Sequence, residues 1–298
     1  INSIQKDIRN ENEVKTEFQT ETIEGFISSN RTIELMHFLH SHYDNKTISS
    51  IFDCLSHESS DFYEAVLQEG LSLNNPVSHH KYAASLLFKN TKTPLKMQIE
   101  EAKKHLELSA SLGFPFSYFL LSRLHHELVH DDLSAFKYAQ EGSNNGDSYS
   151  KCLLGHFIYN GIGTDSDPIL GCKTMIESKA DDYIDNFAIE IGIGFNKMFS
   201  VEKDEIKKEE FQLKSFKWFK KAFELHKTTA AINNYAVCFI LGHGIPKDIE
   251  KAKEILKQGV EANDSNSKFI LGLLLSESDP DQSSYYIKEA SSEGHQRA

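Results

Sequence analysis

Small side chains recur along this chain at long and similar intervals. The recurring positions hold alanine, glycine or serine and are Ala102, Ala135, Gly171, Ser215, Ala252 and Ser283. Successive positions are 33, 36, 44, 37 and 31 residues apart. A period in the thirties is typical of stacked supersecondary units, each of which buries its apolar face against the next. The interval therefore predicts a repeat protein and argues against a single large globule.

The segments around these residues have the apolar spacing of helices, and strand-like alternation is nearly absent. In SFKWFKKAFELHK and EKAKEILKQGVEAN, an apolar or aromatic residue follows the small residue by three positions. A second helical pattern precedes them, most clearly in SKCLLGHFIYNGIGTDSD (150–167) and NNYAVCFILGHGIPKD (233–248). Glycines 161, 163, 242 and 244 tolerate positive φ, so we expect them to turn the chain between the two helices, with Asp248 starting the next helix.

LGHFIYNGIG, GHGIPKDIEKAKEIL and SFKWFKKAFELHK resemble the Sel-one-like repeats (SLR), which are α/α relatives of the tetratricopeptide repeats. The family pattern runs A-x3-L-G-x2-Y-x2-G-x-G-V and then D-x3-A-x2-W-x3-A-A-x2-G. Two units match it well, and the others lack the Leu-Gly pair or the glycine turn. The resemblance implies an all-α, right-handed α/α superhelical solenoid of about six helix pairs over residues 80–298.

The two ends of the chain depart from the repeat. Residues 1–79 have helical spacing without a repeat register, and we expect an irregular helical cap there, with roughly the first twenty residues disordered. Gly294 and Ala298 stand four apart, as at the junction of two repeats, and the chain begins with Ile1 instead of Met. We therefore expect a piece of a longer protein, truncated at its C-terminal end, in which another unit or a capping helix follows.

Charge and hydropathy exclude several classes of function. The formal net charge of -12 disfavours nucleic acid and anionic membrane surfaces as partners. The longest apolar run, FILGLLL, is far shorter than the roughly 20 residues that span a bilayer. The four cysteines (Cys54, Cys152, Cys172 and Cys238) have no zinc-finger or C-x-x-C spacing. We expect reduced, mostly buried thiols, and a Cys152–Cys172 bridge is the alternative.

HELVH (126–130) matches the H-E-x-x-H signature of zinc proteases. That chemistry needs a continuous helix, because two histidines four apart must point the same way to bind zinc while the glutamate acts as general base. In repeat register, His125 takes the tyrosine position and residues 128–131 replace the glycine turn. The pentad is therefore predicted to straddle the end of a helix.

The longer zinc-protease motif is also missing. Its glycine and histidine, three and six positions beyond His130, are Leu133 and Phe136 in this chain. A zinc-dependent hydrolase that uses His126, Glu127 and His130 is thus the less favoured alternative. We predict no catalytic residue, no metal ligand and no cofactor.

Analogy with tetratricopeptide geometry places the first helix of each pair on the concave side of the solenoid. Three positions of each first helix are predicted to face this groove. The candidate partner-binding residues are Lys89, Phe119, Arg123, His126, His156, Tyr159, Asn233, Val237 and Phe269. Apart from Phe119, the N-terminal candidates are polar and partly cationic. Toward the C-terminus, Val237 and Phe269 belong to an apolar row with Ile189, Ile193, Ile240 and Leu273.

The predicted function is a non-enzymatic scaffold or adaptor that binds another protein or a peptide. The groove is expected to hold an acidic or carboxylate-bearing end of a peptide at one side and apolar side chains at the other. The alternative for the apolar row is ordinary core. A regulatory repeat segment of a larger enzyme is the alternative for the whole chain.

The resemblance implies adaptor roles in eukaryotes and host-directed or envelope-associated interaction proteins in bacteria. A composition rich in Lys, Asn and Ser points to an AT-rich genome and a bacterial effector. We expect a soluble protein of the cytoplasm, or one secreted into the cytoplasm of a host cell. The charged insert MFSVEKDEIKKEEF (198–211) is either a docking loop or a solvated extension of a helix.

Overall fold

The computed structural model describes residues 23, 25–27, 31–56, 60–88, 94–180 and 183–297, and every regular element in these ranges is helical. The expected disorder of the first twenty or so residues, and Ala298 at the proposed repeat junction, fall outside the described residues. The chain divides into two compact units, Ile1–Ser150 and Lys151–Ala298. The fold class is the α/α solenoid that the repeat pattern predicted.

The first unit begins with three helices that enclose one apolar core. They are α1 (Thr32–His42), α2 (Asn45–Leu55) and α3 (Ser60–Ser72), and α4 (Pro76–Phe88) follows. Leu39 and Phe52 are fully buried in this core, and Val77 of α4 completes it. His79 and His80 both lie inside α4, so the predicted boundary between cap and repeats falls within a helix and stays a prediction.

The remaining helices pack in consecutive pairs. They are α5 (Leu95–Ser111), α6 (Phe116–Leu124), α7 (Asp132–Asn144), α8 (Ser148–Asn160), α9 (Pro168–Glu177), α10 (Ala188–Val201), α11 (Glu205–His226), α12 (Thr229–Leu241), α13 (Ile249–Glu261), α14 (Ser265–Leu275) and α15 (Pro280–Ser292). α4 pairs with α5, α6 with α7, α10 with α11, α12 with α13, and α14 with α15. The contact between α8 and α9 is made through glycines.

All the small residues that define the repeat interval are buried. The approach of α8 to α9 shows why they are small. A Cβ on Gly171 would lie 2.5 Å from the backbone nitrogen of Tyr159, and one on Gly155 would lie 2.6 Å from that of Met175. Such distances leave no room for a side chain at either position. The prediction that small residues let paired helices pack closely is confirmed.

Glycines turn the chain between paired helices, as predicted. Gly161 and Gly163 have φ of +75° and +67°, and Gly242 and Gly244 have +76° and +72°. An aspartate then starts the next helix. The side chain of Asp248 accepts a hydrogen bond from the backbone N–H of Lys251 at 2.9 Å, which satisfies a donor that has no partner within the helix.

The charged insert is mostly helical. α10 ends at Val201 and α11 begins at Glu205, so only three residues separate them. α11 is 22 residues long, and the last part of the insert forms its first turns. The segment therefore has the structure expected of a helix extension, with Val201 and Ile206 exposed on it.

The cysteines are free and buried, so the alternative of a Cys152–Cys172 bridge is wrong. Burial raises the pKa of Cys152, Cys172 and Cys238 to about 12. These thiols stay protonated at neutral pH and act as small apolar side chains. Among the described helices, none combines the length and the hydropathy that a bilayer crossing requires.

Candidate functional site

The HELVH segment forms the end of a helix, as the repeat register predicted. α6 ends at Leu124, and His125–Val129 form one π-helical turn. His130 follows in the left-handed region with φ of 60°, and the backbone N–H of Asp131 donates to the carbonyl of His125 at 2.9 Å. His126 and His130 therefore do not share a continuous α-helix. The described residues contain no group of three His, Cys, Asp or Glu side chains that could hold a metal ion.

The cationic candidates at this turn already have acidic partners. The guanidinium of Arg123 donates to both carboxylate oxygens of Glu127, at 2.7 and 3.0 Å. Nδ1 of His126 lies 2.7 Å from Oδ1 of Asp132. An acidic partner would have to compete with Glu127 and Asp132 for these groups. The predicted site for a carboxylate is therefore electrostatically balanced within the chain.

Of two other candidates in the first unit, one is buried and one lies outside the described residues. Phe119 is only 5% exposed, and its ring packs on Phe116 and Tyr149, with centroids 5.4 and 5.8 Å away. The ring therefore belongs to the interior and offers little surface to a partner. Lys89 falls outside the described residues.

In the second unit, the first helices of successive pairs are neighbours. Nδ1 of His156 on α8 lies 3.2 Å from Oε1 of Glu190 on α10. α10 in turn contacts α12. Asn233 on α12 donates to Asp264 at 2.8 Å and accepts a hydrogen bond from Ser267 at 2.7 Å, at the start of α14. Equivalent positions on these helices therefore form a continuous surface.

Four apolar side chains lie along this surface. They are Ile193 of α10, Val237 and Ile240 of α12, and Leu273 of α14, and we call them the apolar strip. Leu273 is 51% exposed, and the other three are half-buried. Ile193 and Ile240 also pack against the core around α12. The apolar strip therefore packs against the core on its inner side and is accessible to solvent on its outer side.

Polar groups lie on α8 and α10, at one end of the apolar strip. Burial, with a contribution from Glu190, raises the pKa of Tyr159 to about 12, so its hydroxyl keeps its proton. Oδ1 of Asn196 is buried and accepts no hydrogen bond within the part of the chain that the structure describes. A buried amide oxygen without a donor carries a desolvation cost.

The candidates that lie two residues after the opening small residue of each first helix make contacts within the protein. Cys152 is fully buried, and both ends of the Asn233 amide are engaged with α14. The ring of Phe269 stacks on His295 with centroids 4.3 Å apart. Positions two residues after the opening small residue thus point further inward than tetratricopeptide geometry suggested.

Sequence reasoning missed the acidic partners of the predicted cations. Arg123 and Glu127 are four apart on one helix, a spacing that commonly forms an ion pair. His156 and Glu190 occupy adjacent repeats, 34 positions apart, which is one repeat interval. The sequence spacing of each pair could therefore have predicted that the two side chains lie close together.

Comparison with known proteins agrees with these observations. The sequence profile of the Sel1 repeat matches residues 95–114, 148–173, 212–226 and 229–264. No curated protein matches the chain. At the identities given below, a likeness to solved structures shows the fold alone.

One similar structure is a protective antigen of uropathogenic Escherichia coli that displays an SLR fold, with a TM-score of 0.60 and 13% identity. The likeness covers 92% of this chain and 56% of the antigen, so the chain spans little more than half of that protein's length. Another is a Sel1 repeat protein from Oxalobacter formigenes, with a TM-score of 0.50 and 16% identity over 87% of this chain and 96% of the other. The profile matches and the paired helices show that the chain contains Sel1 repeats, as the sequence pattern indicated.

Proposed function

We propose that this chain is a non-enzymatic scaffold that binds a segment of a partner protein along the apolar strip of the second unit. Sel1 repeat proteins are generally protein-interaction scaffolds. The observation that carries the proposal is the alignment of Ile193, Val237, Ile240 and Leu273 on neighbouring first helices. A linear, half-exposed apolar surface of this kind is typical of peptide recognition.

The absence of charge along the strip supports an apolar contact. The positions of α10, α12 and α14 that the repeat register directs toward the groove are Ile189, Ile193, Asn196, Asn233, Val237, Ile240, Phe269, Leu273 and Ser276. None of them is charged, although the chain has a net charge of -12. Depletion of charge at the centre of a surface is characteristic of interface cores.

A polar group at one end of the apolar strip would orient the bound segment of the partner. The protonated hydroxyl of Tyr159 would donate a hydrogen bond to a backbone carbonyl of the partner. Arg123 and His126 are not assigned to the binding surface, since Glu127 and Asp132 already balance their charges. The expected partner segment therefore has apolar side chains and free backbone groups, and needs no acidic end.

A peptide selection followed by site-directed variants tests this proposal. Peptides selected from a random library on the purified chain would be measured by fluorescence anisotropy. Leu273→Glu should weaken their binding by about tenfold or more, because burial of a leucine is lost and a charge enters the contact. Tyr159→Phe should weaken it by a smaller factor, because a single hydrogen bond is lost.

Leu225→Glu is the matched control. Leu225 lies on α11, the second helix of its pair, and is 52% exposed, against 51% for Leu273. Both changes add the same charge to a half-exposed leucine of the second unit, so they should shift the melting temperature alike. If the two variants bind the selected peptides with equal affinity, the apolar strip is not the binding surface.

A further inference from the structure

Two consecutive histidines of α4 contact two different helices of the first unit. Nδ1 of His79 lies 2.7 Å from Nδ1 of His105 on α5. Nδ1 of His80 lies 3.0 Å from the hydroxyl oxygen of Ser117 on α6. His79 and His80 are only 4% and 3% exposed, so water cannot replace these partners. Each contact needs a defined protonation state.

The contact of His80 belongs to a chain of buried hydroxyls. Ser117 donates to the hydroxyl oxygen of Ser109 at 2.7 Å, and Ser109 donates to the carbonyl of Pro76 at 2.6 Å. Because the Ser117 proton is used toward Ser109, its oxygen accepts from His80, whose Nδ1 must carry hydrogen. Burial lowers the pKa of His80 to about 3, so the ring at the end of this hydrogen-bond series is neutral at neutral pH. The series ties the start of α4 to α5 and α6.

The contact of His79 with His105 is possible only if the two rings share one proton. One Nδ1 must donate and the other must accept. Nε2 of His79 is buried without a hydrogen-bond partner in the described residues, so a hydrogen there would be an unsatisfied donor. The arrangement with the lower energy therefore has His79 Nδ1–H donating to Nδ1 of His105, which keeps its own hydrogen on Nε2.

A second proton cannot be added to this pair without breaking it. On Nδ1 of His105 it would oppose the hydrogen of His79 across 2.7 Å, and on Nε2 of His79 it would be a buried charge without a partner. We propose that His79 and His105 form an acid-responsive latch, which holds α4 against α5 at neutral pH and releases it in mild acid.

The groups around His79 and His105 shift the pKa values of both rings, and both pKa values stay below the ordinary histidine value. Burial lowers the pKa of His79, and the charge of His105 lowers it further. Burial also lowers the pKa of His105, against an opposing effect of Glu101 on α5. Tyr82 donates to Glu101 at 3.0 Å, and its ring lies 4.8 Å from that of His105.

Titratable groups on the other helices that pack near α4 act on different residues of it. His40 of α1 contacts Asn75, Asp53 of α2 pairs with Lys81, and Glu64 of α3 acts on Tyr82. From α6, the neutral hydroxyl of Ser117 accepts a hydrogen bond from His80. Burial lowers the pKa of His80 to about 3, so this ring also takes up a proton when α4 opens. Of these groups, only Glu101 favours the charged form of the latch.

The direction of the pH effect follows from these lowered pKa values. Because the closed state binds protons more weakly than the open one, closure is fully favoured above the ordinary histidine pKa and is lost as pH falls below it. Each proton taken up on opening changes the open population by about tenfold per pH unit below about pH 6.5. Val77 of α4 is buried in the core of the first three helices, so release would expose apolar surface.

Two measurements on the intact chain test the latch. In histidine ring-proton NMR, His79 and His105 should titrate below the ordinary value of about 6.5. In hydrogen exchange corrected for the intrinsic rate, residues 76–111 should open increasingly between pH 7 and pH 5. Helices α12 and α14 serve as the internal reference, and they should not follow the same pH dependence.

Variants separate the latch from general acid sensitivity. The double change His79→Gln and His105→Gln replaces the shared proton by an amide hydrogen bond, and should reduce the pH dependence of opening to the part that the buried His80 contributes. His105→Gln alone keeps an acceptor for His79 and should reduce the pH dependence by less, because burial still lowers the pKa of His79. This single variant provides a second test if the double variant does not fold. His126→Gln, at an exposed histidine paired with Asp132, should leave it unchanged. Histidine pKa values at or above 6.5, or a wild-type pH dependence in the glutamine variants, would overturn the proposal.

Discussion

Two turns of this chain connect paired helices by different chemistry. The turn after α12 uses glycine at Gly242 and Gly244, both with positive φ. The turn after α6 has no glycine, and joins α6 to α7 through a π-helical turn and a left-handed histidine, His130. The comparison shows that the repeat demands a reversal of the chain at this point and does not demand a particular sequence. A motif placed at such a turn, such as HELVH, takes the structure of the turn.

The largest effect is expected at the glycine turn. A Cβ on Gly244 would lie 2.6 Å from the carbonyl oxygen of Gln212, and the residue has φ of +72°. Gly244→Ala combines left-handed strain with overpacking against backbone, and should lower the free energy of unfolding by about 3 kcal/mol. Urea unfolding measures the change.

Gly146→Ala is the control for that experiment. Gly146 has a similar φ of +84°, but a Cβ there would meet nothing within 4 Å. The expected loss is about 1 kcal/mol, from backbone strain alone. Equal losses at the two positions would mean that close packing at the glycine turn is not what requires glycine.

A smaller effect is expected at the histidine turn. A β-branched residue is strained in the left-handed region, so His130→Val should lower the free energy of unfolding by roughly 1–2 kcal/mol. His130→Gly removes the strain but loosens the unfolded chain, and should change it by less than about 1 kcal/mol. If both substitutions cost the same, the side chain of His130 is needed for a contact and not merely tolerated by the turn.

The smallest effect is expected from the first histidine of the pentad. His126 pairs with Asp132 near the surface, so His126→Gln should change the free energy of unfolding by less than about 1 kcal/mol. Thermal melts with added zinc and with a chelator should coincide, for the wild type and for this variant. A zinc-dependent rise in the melting temperature that the variant loses would restore the metal-binding interpretation.

Features set by a single close contact could be predicted from the sequence. Gly171 is small because the backbone of α8 touches it, and that requirement recurs at each interval whatever the surrounding residues are. The repeat register likewise indicated that the helix containing Arg123 ends around the pentad. It did not indicate a π-helical turn, because the path of a short turn depends on how the flanking helices are tilted.

Features set by the relative tilt of helices could not be predicted in the same way. Phe119 and Cys152 were expected to face a groove, and their burial depends on a rotation of the first helices that spacing alone does not determine. The acidic partner Asp132 becomes a neighbour of His126 only after the turn and the start of α7 are placed. The candidate site therefore changed from a cationic and apolar groove to an apolar strip.

The central claim is that the second unit recognises a partner along Ile193, Val237, Ile240 and Leu273. Methyl NMR of the chain labelled at Ile, Leu and Val, titrated with a selected peptide, tests it most directly. The account predicts that chemical-shift changes concentrate on these four residues, while Leu170 and Leu225 on the second helices stay unchanged. Shifts confined to Leu170 and Leu225, with the strip unaffected, would contradict it.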